Sequence, residues 1–195
     1  MSTDETKPPT PMDPWDDRLV AHHEAGHAVV AAWLGFELGD MGLGQGPDDR
    51  PHIGYMRIDR GGNADQRKAE LAMISLAGVA AQERFCPGAW NYGAILPDLS
   101  QALHLLGNLL LEDATLGPLI QQTKAIVDQC WPVVTTLASA LVERRVLPHA
   151  EVAELLRAEM VKLGYLAPAA YVLSVGEFSG IVCSEAEATG TPPAA

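Results

Sequence analysis

Residues 21–35 read AHHEAGHAVVAAWLG, and how their histidines are read decides how the chain is read. His23 and His27 stand four apart, so on a helix both imidazoles lie on one face and can converge on one ion at about 2.0–2.1 Å. Glu24 is rotated about 100° from His23 around such a helix. That keeps it out of the ligand pair and lets its carboxylate reach a metal-activated water as a general base. His22 is four residues from neither partner and points off the ligand face. If the histidines instead sat in a helical core without metal, each buried imidazole would need a hydrogen-bond partner, at a cost of about 2–7 kcal/mol if unmet.

The neighbourhood of the motif is helical. Asp16 or Asp17 can cap a helix that runs to about Trp33, with Leu19, His23, His27, Val30 and Leu34 along one side, and Gly35 ends it. Its flanks are Ala, Gly and Val rather than the charged residues of a solvated face. From 36 to 63 the helical period is lost, and the glycine-rich stretch predicts loop, strand and turn, with a β-prone run from His52 to Ile58. GLGQG at 42–46 is read as a plain flexible loop, because no Lys-Ser or Lys-Thr follows and no helix opens there.

Further on, residues 64–85 predict a helix with Leu71, Ile74, Gly78 and Ala81 on one side, stopping before Pro87. Residues 86–97 read as a loop. Asp98 stands at or beside the N-cap of a third helix, with a stripe of Leu99, Leu103, Leu106 and Leu110. A long helical segment from Pro118 to Arg145, kinked by Pro132, and a shorter one from Pro148 to Leu163 complete the scaffold. No repeat of fixed period is present. The fold class expected is mainly α, an α+β chain with a small β element and the HExxH helix placed early.

Length and composition set the frame. The 195 residues, 48% hydrophobic and 19% charged, suit one domain with a core that needs no staples. Residues 1–15 and 184–195 are poor in large apolar side chains and rich in Pro, Thr and acid, and are expected to be disordered tails. Residues 16–164 would form the domain, followed by an extension over 165–183. Thirteen basic against twenty-five acidic residues, net charge -12 with no basic cluster, argue against nucleic-acid partners and anionic membrane surfaces.

Three widely spaced cysteines with no CxxC pair argue against a disulfide framework and a cysteine zinc knuckle. The acidic, Pro-rich start does not resemble a signal peptide, and no apolar run reaches the roughly eighteen residues of a membrane span. A soluble, cytoplasmic protein is expected.

A catalytic zinc takes a third protein ligand and keeps one position open. His52, Glu83, Asp98 and His104 are the candidates from residue type alone.

Beyond spacing, HHEAGHAVVAAWLG (22–35) resembles the HEAGH helix of the FtsH family of ATP-dependent zinc proteases. HIGYMRID (52–59) resembles the family's short strand after the motif, and AELAMISLAGVAAQERF (69–85) its small-residue helix ending in a Glu. LPDLSQALHLL (96–106) is similar to the segment whose Asp completes the zinc site, and residues 124–156 to the closing pair of helices. The likeness spans about residues 18–160.

The resemblance implies a Zn2+ site with His23, His27 and Asp98 as ligands, Glu24 as catalytic base, and Glu83 near the metal but not on it. It implies a zinc metalloendopeptidase acting on unfolded or flexible polypeptide substrates. The family's membrane helices and ATPase module have no counterpart here, and there is no G-x-x-x-x-G-K-[ST]. A peptidase domain standing alone, fed by a separate ATPase or adaptor in trans, is therefore expected. The alternative is a catalytically silent zinc-binding module that serves as a regulatory or assembly partner. The family's hexameric rings raise self-association as a weaker expectation. The stretch GLGQGPDDRP and the extension after Tyr165 depart from the family pattern.

Overall fold

Asp16 begins the fold as an N-cap: its carboxylate accepts from the backbone N–H of Arg18 at 2.8 Å, supplying one of the bonds that a helix start lacks. The helix it opens, α1 (Asp17–Trp33), ends at a turn where Gly35 takes φ 75°, a left-handed conformation that glycine adopts without strain. Every residue from Leu19 to Ala32 is buried. The helix is thus the spine of the core rather than an amphipathic surface helix, and its histidines and Glu24 are enclosed with it. The structure, a computed structural model, describes residues 16–45, 51–59, 67–89, 92–107 and 116–165. The expected tails, and the extension beyond Tyr165, lie outside the described residues.

After α1 the chain forms β1 (Glu37–Gln45) and β2 (Pro51–Asp59), antiparallel to each other; a two-residue strand, β3 (Val146–Leu147), joins the far side of β1. The sheet order is β2-β1-β3. Residues 37–45 are therefore strand, a correction to the flexible loop expected around GLGQG. The core-facing residues are Leu38, Met41 and Leu43, and a register shift between Leu38 and Met41 breaks the two-residue alternation that marks a strand. The glycines serve close approach: a Cβ on Gly39 would stand 2.7 Å from Cβ of Arg57, and one on Gly42 would meet the Tyr55 ring at 2.5 Å.

Five further helices complete the described residues: α2 (Lys68–Phe85), α3 (Tyr92–Leu106), α4 (Leu116–Gln129), α5 (Trp131–Arg144) and α6 (His149–Lys162). The chain is mainly helical with a small sheet, as expected. The segment read as one kinked helix is two, bent by 74° across Cys130. Pro132 lies in the first turn of α5, where its missing N–H has no partner to lose. No single described helix is long and apolar enough to cross a membrane.

Helix α3 also starts earlier than expected. It begins at Tyr92, so Asp98 lies within the helix and not at its N-cap. Five helical residues precede Pro97, so it interrupts the ladder near the start of α3 by leaving the Gly93 carbonyl without its usual backbone donor. Of the predicted leucine stripe, Leu106 is buried and Leu99 half-buried, whereas Leu103 is 47% exposed. Leu110 lies outside the described residues.

Two apolar clusters hold these elements. The larger joins α1, the sheet, α2, α4, α5 and α6; the smaller joins Ala72 and Leu76 of α2 to Ala102 and Leu106 of α3, with Leu116, Leu119 and Ile120 of α4 packed on it. At the crossing of α1 and α2 a Cβ on Gly26 would stand 2.6 Å from both the Ala77 carbonyl oxygen and Cβ of Ala81. That close approach positions the site.

Candidate metal centre

The α1/α2 crossing brings the face of α1 that bears His23 and His27 over Gly78. A Cβ on Gly78 would lie 2.5 Å from Nε2 of His27 and 2.6 Å from Cε1 and Nε2 of His23, so the absent side chain is the space the imidazoles occupy. From α3, Asp98 reaches the same point: its Oδ2 lies 2.8 Å from Nε2 of His23 and 3.1 Å from Nε2 of His27, and the two Nε2 atoms are 3.0 Å apart.

The outer nitrogens are taken. Nδ1–H of His27 donates to the Ile74 carbonyl at 2.6 Å, and Nδ1–H of His23 donates to Oε1 of Gln82 at 3.2 Å. With neutral rings, each Nε2 then carries a lone pair, and two lone pairs and a carboxylate oxygen face one another at about hydrogen-bond distance. Such a cluster is repulsive unless a proton or a cation sits among them.

A tetrahedral ion with bonds of about 2.0–2.1 Å holds its donor atoms about 3.3 Å apart, so the trio needs only a few tenths of an ångström of opening. His23, His27 and Asp98 form a group that can hold a metal ion. Two imidazole nitrogens and a carboxylate oxygen are donors that suit a divalent transition-metal ion.

Electrostatics tell the same story. Burial pushes the His27 imidazole down, but the charge and hydrogen bond of Asp98, with the charge of Glu24 and the Ile74 carbonyl, more than offset it and raise the group to about 9. Burial pushes Asp98 up, and is overcome by the charge of His27 and by the hydrogen bonds the two imidazoles give it when protonated, so its carboxyl is held well below the usual carboxylate range. Each group is set to bind a positive charge at its inner atom.

Glu24 is buried beside the pair but outside the ligand group, as its spacing requires. Its carboxylate packs against β2: a Cβ on Gly54 would come 2.6 Å from Oε1 and 2.7 Å from Cγ. His22 turns away. Its Nδ1–H donates to the Arg18 carbonyl at 2.7 Å, its ring stacks on Phe85 with centroids 3.7 Å apart, and burial holds its imidazole below the ordinary value.

Of the other third-ligand candidates, Glu83 is half-buried outside the group and His104 is exposed on α3; the side chain of His52 lies outside the described residues.

Gln82 and the Ile74 carbonyl are the partners that spacing did not reveal. They flank Gly78 at four-residue intervals along α2, the interval that also separates the two histidines. A lone amide on an otherwise apolar face was the available signal, since a buried amide needs a partner. No family model matches the chain, and no curated protein matches it.

Proposed function

We propose that this protein is a zinc-dependent metalloendopeptidase of the kind implied by the FtsH-family resemblance. The observation that carries the reading is the convergence of Nε2 of His23, Nε2 of His27 and Oδ2 of Asp98, with Glu24 held beside them on the same helix. His23, His27 and Asp98 would hold the ion. When bound, it supplies Lewis acidity that lowers the pKa of a coordinated water to about 7 and polarises the scissile carbonyl.

The chain's own residues do the rest. Glu24 takes the proton of the attacking water on its carboxylate and returns it to the leaving amine. Ile74 and Gln82 keep the imidazoles oriented while this happens. β2 is an edge strand of the described sheet, and its Gly54 packs on Glu24. An extended, unfolded polypeptide adding to that edge would bring its backbone close to the base. Such an enzyme acts on flexible chains, with any unfolding supplied by an ATPase or adaptor in trans.

Elemental analysis and hydrolysis of an unstructured protein test the reading together. Wild type and Glu24→Gln are expected to bind about one equivalent of zinc each, with turnover reduced about 10²- to 10⁴-fold in the variant. Equal turnover in both would remove Glu24 from the mechanism, and a wild type that takes up no zinc would remove the metal.

A further inference from the structure

We infer that Gln82 is the positioning residue of the centre: its amide fixes the His23 proton on Nδ1 and ties that histidine, through Ala89, to the segment that delivers Asp98. The inference rests on the metal reading for its consequence, though not for its geometry. Gln82 is 2% exposed on α2, between the two.

An amide has two unlike ends. Its nitrogen lies 3.3 Å from the Ala89 carbonyl oxygen, which can only accept, so that end must be the donor. Oε1 is thereby turned to Nδ1 of His23, and it too can only accept. Nδ1 must then carry the proton, and Nε2 presents its lone pair to the centre.

His27 is fixed in the same sense by the Ile74 backbone carbonyl, which no side-chain replacement removes. His23 alone depends on a side chain. Ala89 stands three residues before α3, the helix that carries Asp98, so the one amide holds a ligand from α1 and anchors the approach to the ligand from α3. A carboxylate at 82 could still accept from His23 but could not donate to Ala89; an aliphatic side chain could do neither.

The full-length protein and its Gln82→Leu and Gln82→Glu variants test this. Three quantities are measured: zinc affinity by chelator competition, the absorption spectrum with cobalt(II) in place of zinc, and the solvent-protected His23 Nδ1–H resonance in 15N-labelled protein with and without zinc. Gln82→Leu is expected to lose about ten- to a hundred-fold in zinc affinity, change the cobalt spectrum and lose the protected resonance. Gln82→Glu, which keeps the acceptor for His23 but loses the donor to Ala89, is expected to keep the resonance and to lose less affinity than Gln82→Leu.

Wild-type affinity and an unchanged resonance in Gln82→Leu would overturn the assignment, as would Gln82→Glu behaving like Gln82→Leu. Should Gln82→Leu not fold, Gln82→Glu decides alone: retention of the resonance supports the role and its loss overturns it. If the wild type takes up no zinc, the metal reading falls, and the metal-free His23 resonance still decides whether Gln82 sets the proton.

Discussion

Gly78 lies so close under His27 that a single added methyl group would stand 2.5 Å from Nε2 of the imidazole. The ring cannot swing away cheaply, because its other nitrogen is held by Ile74 at 2.6 Å. Gly78→Ala would gain about 1 kcal/mol of helix propensity in α2. It would lose about 1–3 kcal/mol to overpacking. We expect modestly lower thermal stability and at least a ten-fold loss of zinc affinity. Wild-type affinity in a chelator competition would show that the floor of the site yields.

Protons and metal compete for the same atoms, and the sign of the pH dependence follows. His27 is raised from 6.5 to about 9, so its pairing stabilises the metal-free fold fully below pH 6.5 and is lost as pH climbs to about 9. Asp98 is depressed below 3.8, so its contribution is present above that value and lost as pH falls beneath it. To act as a ligand His27 must shed its Nε2 proton, so between pH 6.5 and 9 apparent zinc affinity rises with pH. Calorimetry at pH 7.5 in two buffers of different ionisation enthalpy should report about one proton released per ion. No release would contradict the His27–Asp98 pairing.

Helix α3 separates two leucines that its sequence makes look alike. Leu106 is buried in the small cluster with Ala72, Leu76 and Ala102, whereas Leu103 is exposed. Leu106→Ala is expected to cost about 2–5 kcal/mol and to weaken metal binding by loosening the helix that carries Asp98. Leu103→Ser should stay within about 0.5 kcal/mol of wild type. Urea denaturation of the two variants checks the order, and reversed costs would overturn this placement of α3.

Arg145 closes α5 with φ 67°, a left-handed conformation unusual for a residue with a side chain. It also pairs with Asp17 at the surface. The strain costs about 1–2 kcal/mol, and an exposed pair is worth about 0–1 kcal/mol. Arg145→Gly is therefore expected to raise stability by about 0.5–1 kcal/mol in denaturant melts, with zinc affinity unchanged.

What was legible in the sequence follows from range of interaction. The His23–His27 pair could be read because four residues on a helix place two side chains together whatever surrounds them. Asp98 could not be chosen over Glu83 or His104 from spacing, since its place depends on where α3 crosses; family likeness singled it out. Its expected N-cap role failed because residues 92–97, read as loop, already belong to α3, with Pro97 inside the helix. β1 was hidden by its irregular register and by glycines that serve the neighbouring strand rather than a turn. Gln82 was passed over because only the folded crossing shows that its two partners come from α1 and from the connection to α3.

The division of the core has a dynamic consequence. His23 and His27 belong to the fully buried spine, while Asp98 rides on a helix secured by the smaller satellite cluster. Opening of α3 would withdraw one donor and leave the other two in place, so an ion there would act as a clasp between units of unequal stability. In hydrogen exchange, α3 amides would exchange faster than those of α1 without zinc and slow markedly on its addition. The Asp98 carboxylate, the third donor, would be the centre's latch, and the small cluster beneath α3 its hinge.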